Sequence, residues 1–184
     1  MHRRLFLTTI GATAAAPALA QHKRPSEPNP QIDYGGFERL TGDVRQLRAR
    51  RLLPFARFKE LAASGDTLLL DARSETAFRE GHIRGAINLP LPDFNAESLH
   101  ATIGAPGRMI LIYCNNNFSN HQRPVPIKAA PLALNIQTFI NLVGYGYTNV
   151  WELVDVVDFN DPKVEWVTAS IPPLPRRGGG SAQR

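Results

Sequence analysis

The chain has a single cysteine, Cys114, and it is the residue best placed for covalent chemistry. It follows the apolar run 110–113 and precedes a polar stretch rich in asparagine. Asparagine tolerates left-handed backbone geometry, so such a loop can turn its N–H groups inward and stabilise an anion. We therefore predict a nucleophilic thiolate with a lowered pKa. The loop residues expected to cradle it, or to bind substrate, are Asn115, Asn116, Asn117, Phe118, Ser119 and Asn120. The alternative is that Cys114 is a small, inert, buried side chain.

Five further residues are candidates for accessory roles. His121 is close enough in sequence to act as a base for the thiol, or it is simply solvated. Arg123 and Lys128 are the nearest basic side chains after the loop. Asp71 and Arg73 stand at the end of another predicted strand, where a charge-assisted pair would orient loops.

Composition argues against several other classes of site. One cysteine and scattered histidines give no metal-ligand spacing, and no glycine-rich phosphate loop is present, so we predict neither a metal nor a cofactor. The formal net charge is +5. The arginines at 45, 48, 50 and 51 lack interleaved aromatic residues, so they indicate a solvated helix face and no nucleic-acid partner.

The elements that must position these residues alternate between strands and helices. Continuous apolar runs predict buried strands, at 67–70, 86–89, 109–113 and 150–153. Helical spacing or capping residues predict helices, at 37–50, at 55–63, after Ser74, from Asp93 to about Ile103, and at 127–143 with an interruption at Pro131. This alternation predicts an α/β fold with a parallel sheet covered by helices on both faces.

The two ends of the chain read as segments outside this domain. Arg3 and Arg4 precede a short apolar stretch and the small-residue pattern 18–20, which predicts a signal peptide over 1–20, cleaved after Ala20. The route is twin-arginine or Sec, and the predicted location is the periplasm, with no stable membrane anchor. Residues 21–36 are expected to be a linker, 37–170 the domain with its N-terminal helical extension, and 171–184 a disordered tail. The oligomeric state stays open.

Two segments of the sequence resemble the rhodanese-like domain family. The stretch 68–73, followed by Phe78 and by 81–90 (GHIRGAINLP), is similar to its first signature. The run 110–114 (ILIYC) is similar to its active-site strand and cysteine. The segment 113–118 (YCNNNF) further resembles a subgroup of exported bacterial rhodanese-like proteins.

The resemblance implies sulfur transfer. Cys114 would attack a sulfane donor, carry the sulfur as a persulfide and pass it to a thiol acceptor. The loop after Cys114 departs from the family pattern, since it is long and rich in Asn and Pro. This leaves a second reading, a catalytically inactive binding module that uses the enlarged loop. A phosphatase is a third reading, but Asn120 stands where those relatives carry an arginine.

Overall fold

The computed structural model describes residues 29–168. The segment before the first helix forms a turn in which the N–H of Ile32 donates to the carbonyl of Asn29 over 3.0 Å. The predicted signal peptide, most of the predicted linker and the predicted tail lie outside the described residues. Within them, no helix is both long enough and apolar enough to cross a membrane.

A five-stranded parallel sheet forms the centre of the fold. Its strands, in their order across the sheet, are β1 (Leu52–Leu53), β6 (Val150–Leu153), β5 (Met109–Tyr113), β2 (Thr67–Asp71) and β4 (Ile87–Asn88). The central strands β2 and β5 are almost entirely buried because both of their faces are covered. This confirms the α/β architecture predicted from the continuous apolar runs.

Helices cover both faces of the sheet. They are α1 (Tyr34–Arg48), α2 (Phe55–Ala62), α3 (Glu75–Glu80), α4 (Ala96–Ile103) and α5 (Leu134–Gly144). Side chains alternate along the strands, so Ile110 and Ile112 pack against α1, α4 and α5 while Leu111 packs on the opposite side against α2. The sheet therefore separates two apolar cores.

A second, two-stranded antiparallel sheet joins β3 (His82–Ile83) to β7 (Trp166–Val167). It borders the core that contains α2, where Trp166 contacts the ring of Phe118 edge-on at a centroid distance of 4.9 Å. Strand β7 thus packs against the loop that follows Cys114.

Three helix starts differ from the sequence predictions. The first helix begins at Tyr34, ahead of the expected start at Phe37. Asp93 does not cap α4. It ends a short 3-10 turn, and Asn95 is the cap because its side chain accepts from the N–H of Ser98.

The predicted helix at 127–143 is also wrong in its first part. Residues 130–132 form a 3-10 turn around Pro131, and α5 starts only at Leu134. Proline lacks the N–H that a continuous helix requires. The first turn of α5 lies close to Cys114.

Candidate functional site

Cys114 lies directly after β5, at the carboxyl end of the central strand. Only 1% of the residue is exposed. Three backbone N–H groups act on its sulfur and lower the pKa of the thiol: that of Asn135 in the first turn of α5, that of Asn116 in the loop, and that of Leu134 in the same turn of α5. Unpaired N–H groups at a helix N-terminus favour negative charge, so these donors suit an anionic sulfur.

The pKa of the Cys114 thiol is nevertheless raised, chiefly because burial penalises the charged form. The three N–H groups lower it in part, and the carboxylate of Glu152 raises it again. The prediction of a lowered pKa is therefore wrong. Desolvation, which the sequence does not display, outweighs the favourable amides.

Although it is almost completely buried, Cys114 lines a pocket of about 210 Å³. Arg48, at the end of α1, and Glu152, in β6, line the same pocket and form a two-pronged ion pair. The Arg48 Nε lies 2.5 Å from Glu152 Oε2, and its Nη2 lies 2.6 Å from Oε1. A small molecule that enters this pocket meets the sulfur and a fixed pair of opposite charges.

The side chain of Asn117 organises the backbone around the cysteine. Its Oδ1 accepts from the N–H of Cys114 (2.9 Å) and from Nδ2 of Asn135 (3.0 Å). Its Nδ2 donates to the carbonyls of Leu153 (2.8 Å) and Asp155 (3.1 Å). Asn117 therefore links the cysteine loop to both α5 and the end of β6.

Asn116 contributes in a different way. Its side chain exchanges two hydrogen bonds with the backbone of Lys128, donating to the carbonyl over 2.8 Å and accepting from the N–H over 3.2 Å. This fixes the loop while leaving the Asn116 backbone N–H directed at the sulfur. The asparagines thus serve mainly to hold backbone in place.

The remaining loop residues are not brought to the sulfur pocket. Asn115 donates from Nδ2 to the carbonyl of Pro126 and lines a neighbouring cavity of about 440 Å³. Phe118 is fully buried in the core on the side of the sheet that α2 covers. Ser119 pairs with the backbone of Val157, and Asn120 with the carboxylate of Asp158.

The predicted accessory residues on the far side of the loop also lie outside this pocket. His121 is exposed and has a positive φ of 52°. Arg123 forms an exposed ion pair with Glu80. Lys128 is exposed and lines the larger neighbouring cavity.

Asp71 and Arg73 form the charge-assisted pair expected from their positions. Arg73 Nη2 lies 2.6 Å from Asp71 Oδ2, and Nε lies 2.9 Å from Oδ1. Arg73 also donates to the carbonyls of Gly81 and Pro124. Tyr113, from β5, donates its hydroxyl to Asp71 over 2.6 Å. The pair therefore connects β2 to β5 and to two loops.

Sequence reasoning missed three residues that line the sulfur pocket: Arg48, Glu152 and Asn135. The arginine cluster predicts a solvated helix face for Arg48, and Glu152 stands 104 residues further along the chain. The one signal for Glu152 in the sequence is that it is a charged residue inside the otherwise apolar strand 150–153, which indicates a buried partner. Among the described residues, no cluster of three or more potential metal ligands occurs.

Comparisons with known proteins agree with this architecture. The family model for the rhodanese-like domain matches residues 55–155. A comparison with curated protein sequences gave no match. Because the model spans more than half of the chain, the protein belongs to the rhodanese-like domain family.

Several solved structures are similar to the chain at low sequence identity. The Alr3790 protein from Anabaena sp. is 18% identical, with 55% of this chain and 68% of that chain covered and a TM-score of 0.40. The single-domain sulfurtransferase RDL2 from Saccharomyces cerevisiae is 13% identical, with 56% and 81% covered and a TM-score of 0.40. The BH2092 protein from Bacillus halodurans is 18% identical, with 65% and 75% covered and a TM-score of 0.41.

Proposed function

We propose that this protein is a sulfurtransferase or persulfide carrier that acts through Cys114. The observation that supports it best is the convergence of three backbone N–H groups on a sulfur that lines a small pocket. Such donors are needed where a sulfur must carry negative charge in the transition state.

The proposed reaction has two balanced steps. The Cys114 thiol first loses its proton to solvent, and the thiolate attacks the outer sulfur of a sulfane donor. The donor's sulfur–sulfur bond breaks, the remainder of the donor leaves with the bonding electron pair, and Cys114 becomes a persulfide. The thiolate of an acceptor then attacks the outer sulfur, and Cys114 leaves as a thiolate.

The raised pKa of Cys114 gives the amides a specific role in this scheme. At neutral pH the buried thiol is held mainly in its protonated form, so the thiolate is a minor species. The N–H groups of Asn116, Leu134 and Asn135 stabilise that minor species, and the same groups are available to the persulfide anion. They accordingly assist both steps.

Intact-protein mass spectrometry tests this proposal. The protein is incubated separately with thiosulfate and with 2-hydroxyethyl persulfide, and we expect one added sulfur that dithiothreitol removes. The chain has only one cysteine, so the adduct must be absent from Cys114→Ser. His121→Ala is the matched control, since that exposed side chain lies outside the pocket, and it should take up sulfur normally. No added sulfur from either donor would overturn the proposal.

One observation favours a second candidate, a non-catalytic binding module. The cavity of about 440 Å³ beside the loop is lined by Asn115, by Lys128 and by several prolines, and it does not include Cys114. Its size suits a small organic ligand. Failure of Cys114 to accept sulfur from any donor, in a folded protein, would leave this reading in place.

A further inference from the structure

One member of the ion pair beside Cys114, Arg48, lies outside the part of the chain that the family model matches. Arg48 ends α1, ahead of residue 55, where that match begins. Its partner Glu152 is 5% exposed and is held by the backbone of β6, whose N–H at that residue donates to the carbonyl of Arg51. The carboxylate is therefore a fixed part of the pocket wall.

Glu152 cancels the charge of Arg48, which is the only cationic side chain among the residues that line the pocket. Its ionisable lining residues are Arg48, Cys114 and Glu152, and the first and last have opposite charges. While the thiol is protonated, the side chains of the pocket sum to zero charge. A donor with two negative charges therefore gains no net attraction from these side chains, because the Glu152 carboxylate offsets the attraction of Arg48.

A second feature of the pocket also disfavours such a donor. Asn135 is 3% exposed and lines the pocket, and its Oδ1 has no hydrogen-bond partner among the described residues. A buried acceptor of this kind is costly unless a ligand supplies a donor. The thiosulfate dianion offers only acceptors, whereas the S–H of a protonated organic persulfide is a donor.

We propose that Glu152 is a specificity-determining residue that makes the Cys114 pocket select organic persulfides with at most one negative charge over divalent inorganic donors. The inference rests on the proposed function and adds the substrate class. The preferred donor is of the form R–S–SH. The Cys114 thiolate attacks its outer sulfur, the S–S bond breaks, R–S⁻ leaves, and the proton stays on the Cys114 persulfide.

The test is the ratio of two rates in one protein. Persulfide formation on Cys114 is followed by mass spectrometry with thiosulfate and with 2-hydroxyethyl persulfide at equal concentrations. In the unaltered protein the organic persulfide should react faster. In Glu152→Gln, which keeps the shape but removes the charge, the ratio of the thiosulfate rate to the organic persulfide rate should rise by about tenfold or more.

Glu75→Gln is the matched control. It makes the same chemical change in an exposed pair with Arg79 on α3, away from the pocket, so the ratio should stay within about twofold of the unaltered protein. If Glu152→Gln does not fold, Arg48→Gln replaces it. That variant leaves the Glu152 carboxylate without its counter-charge, so its ratio should fall below that of the unaltered protein.

The possible failures are distinguishable. An unchanged ratio in the folded Glu152 variant, or a faster reaction of the unaltered protein with thiosulfate, overturns the inferred selectivity while the proposed function stands. Absence of sulfur on Cys114 with both donors overturns the proposed function, and the inferred selectivity with it.

Discussion

At the scale of single residues, the sulfur of Cys114 is held between opposing influences. Burial and the Glu152 carboxylate favour the neutral thiol, while the N–H groups of Asn116, Leu134 and Asn135 favour the anion. The balance leaves the pKa raised. A thiol of this kind reacts slowly with oxidants and alkylating agents at neutral pH, because the thiolate is the nucleophilic form.

The pH dependence of alkylation tests this balance. The rate of modification of Cys114 by iodoacetamide in the folded protein should rise with pH, with a midpoint above about 8.5, because a raised pKa shifts thiolate formation to higher pH. Glu152→Gln should lower the midpoint, since it removes one of the causes of the shift. The same protein unfolded in urea supplies the reference. A midpoint below about 7 in the folded protein would show that the amides outweigh burial.

At the scale of elements, the β3–β7 pair holds the loop that follows Cys114. Trp166 of β7 packs edge-on against Phe118 and stacks on Phe159 at a centroid distance of 5.2 Å. Gly81, immediately before β3, leaves the space that the indole occupies, because a Cβ there would overlap the Trp166 ring. The glycine is needed for this close approach and not for its conformation. Its backbone is extended, with φ of 165°, which any residue can adopt.

Replacing that glycine should therefore loosen the whole contact. Gly81→Ala is expected to destabilise the protein by about 1–3 kcal/mol, because Trp166 must move away from Phe118 and Phe159. Urea denaturation followed by tryptophan fluorescence measures the change. Gly65→Ala, where nothing lies within 4 Å of the new Cβ, should change stability by less than about 1 kcal/mol. Equal effects of the two substitutions would contradict this packing argument.

The sequence predicted the elements that depend on local pattern. The continuous apolar runs of β2, β5 and β6 were located to within a residue, and Ser74 caps α3 as expected. The two-residue strands β1, β3 and β7 are too short to show any periodicity. Their pairing depends on partners far along the chain, as with His82 opposite Val167.

The candidate site divides in the same way. Cys114 was predicted from its place after an apolar strand, and the donors from α5 were not, because helical spacing alone started that helix too early. Arg48 and Glu152 meet only through the folding of α1 against the sheet edge at β1 and β6. Nothing in the sequence near either residue indicates the other.

At the scale of the whole molecule, one buried ion pair joins parts that are distant in sequence. Asp71 of β2 is completely buried, and Arg73 is 3% exposed. Through them the sheet is tied to Tyr113 at the end of β5, to Gly81 before β3 and to Pro124 in the loop after the cysteine. The residue before Cys114 is thus held by the same network that holds the loop after it.

Removing one charge from this pair should have a large effect. Asp71→Asn is expected to lower the free energy of unfolding by about 3–5 kcal/mol, because the buried guanidinium of Arg73 loses its counter-charge. Urea denaturation monitors the loss. Glu75→Gln breaks an exposed pair instead and should cost less than about 1 kcal/mol. A loss of less than about 1 kcal/mol in Asp71→Asn would mean that the network does not hold the fold together.

The crystal structure of the protein after reaction with 2-hydroxyethyl persulfide tests the central claim most directly. The account predicts an added sulfur atom on Cys114 Sγ, inside the pocket that Arg48 and Glu152 line, within hydrogen-bond distance of at least one of the N–H groups of Asn116, Leu134 and Asn135. An unmodified Cys114, or an added sulfur directed away from all three N–H groups, would contradict it.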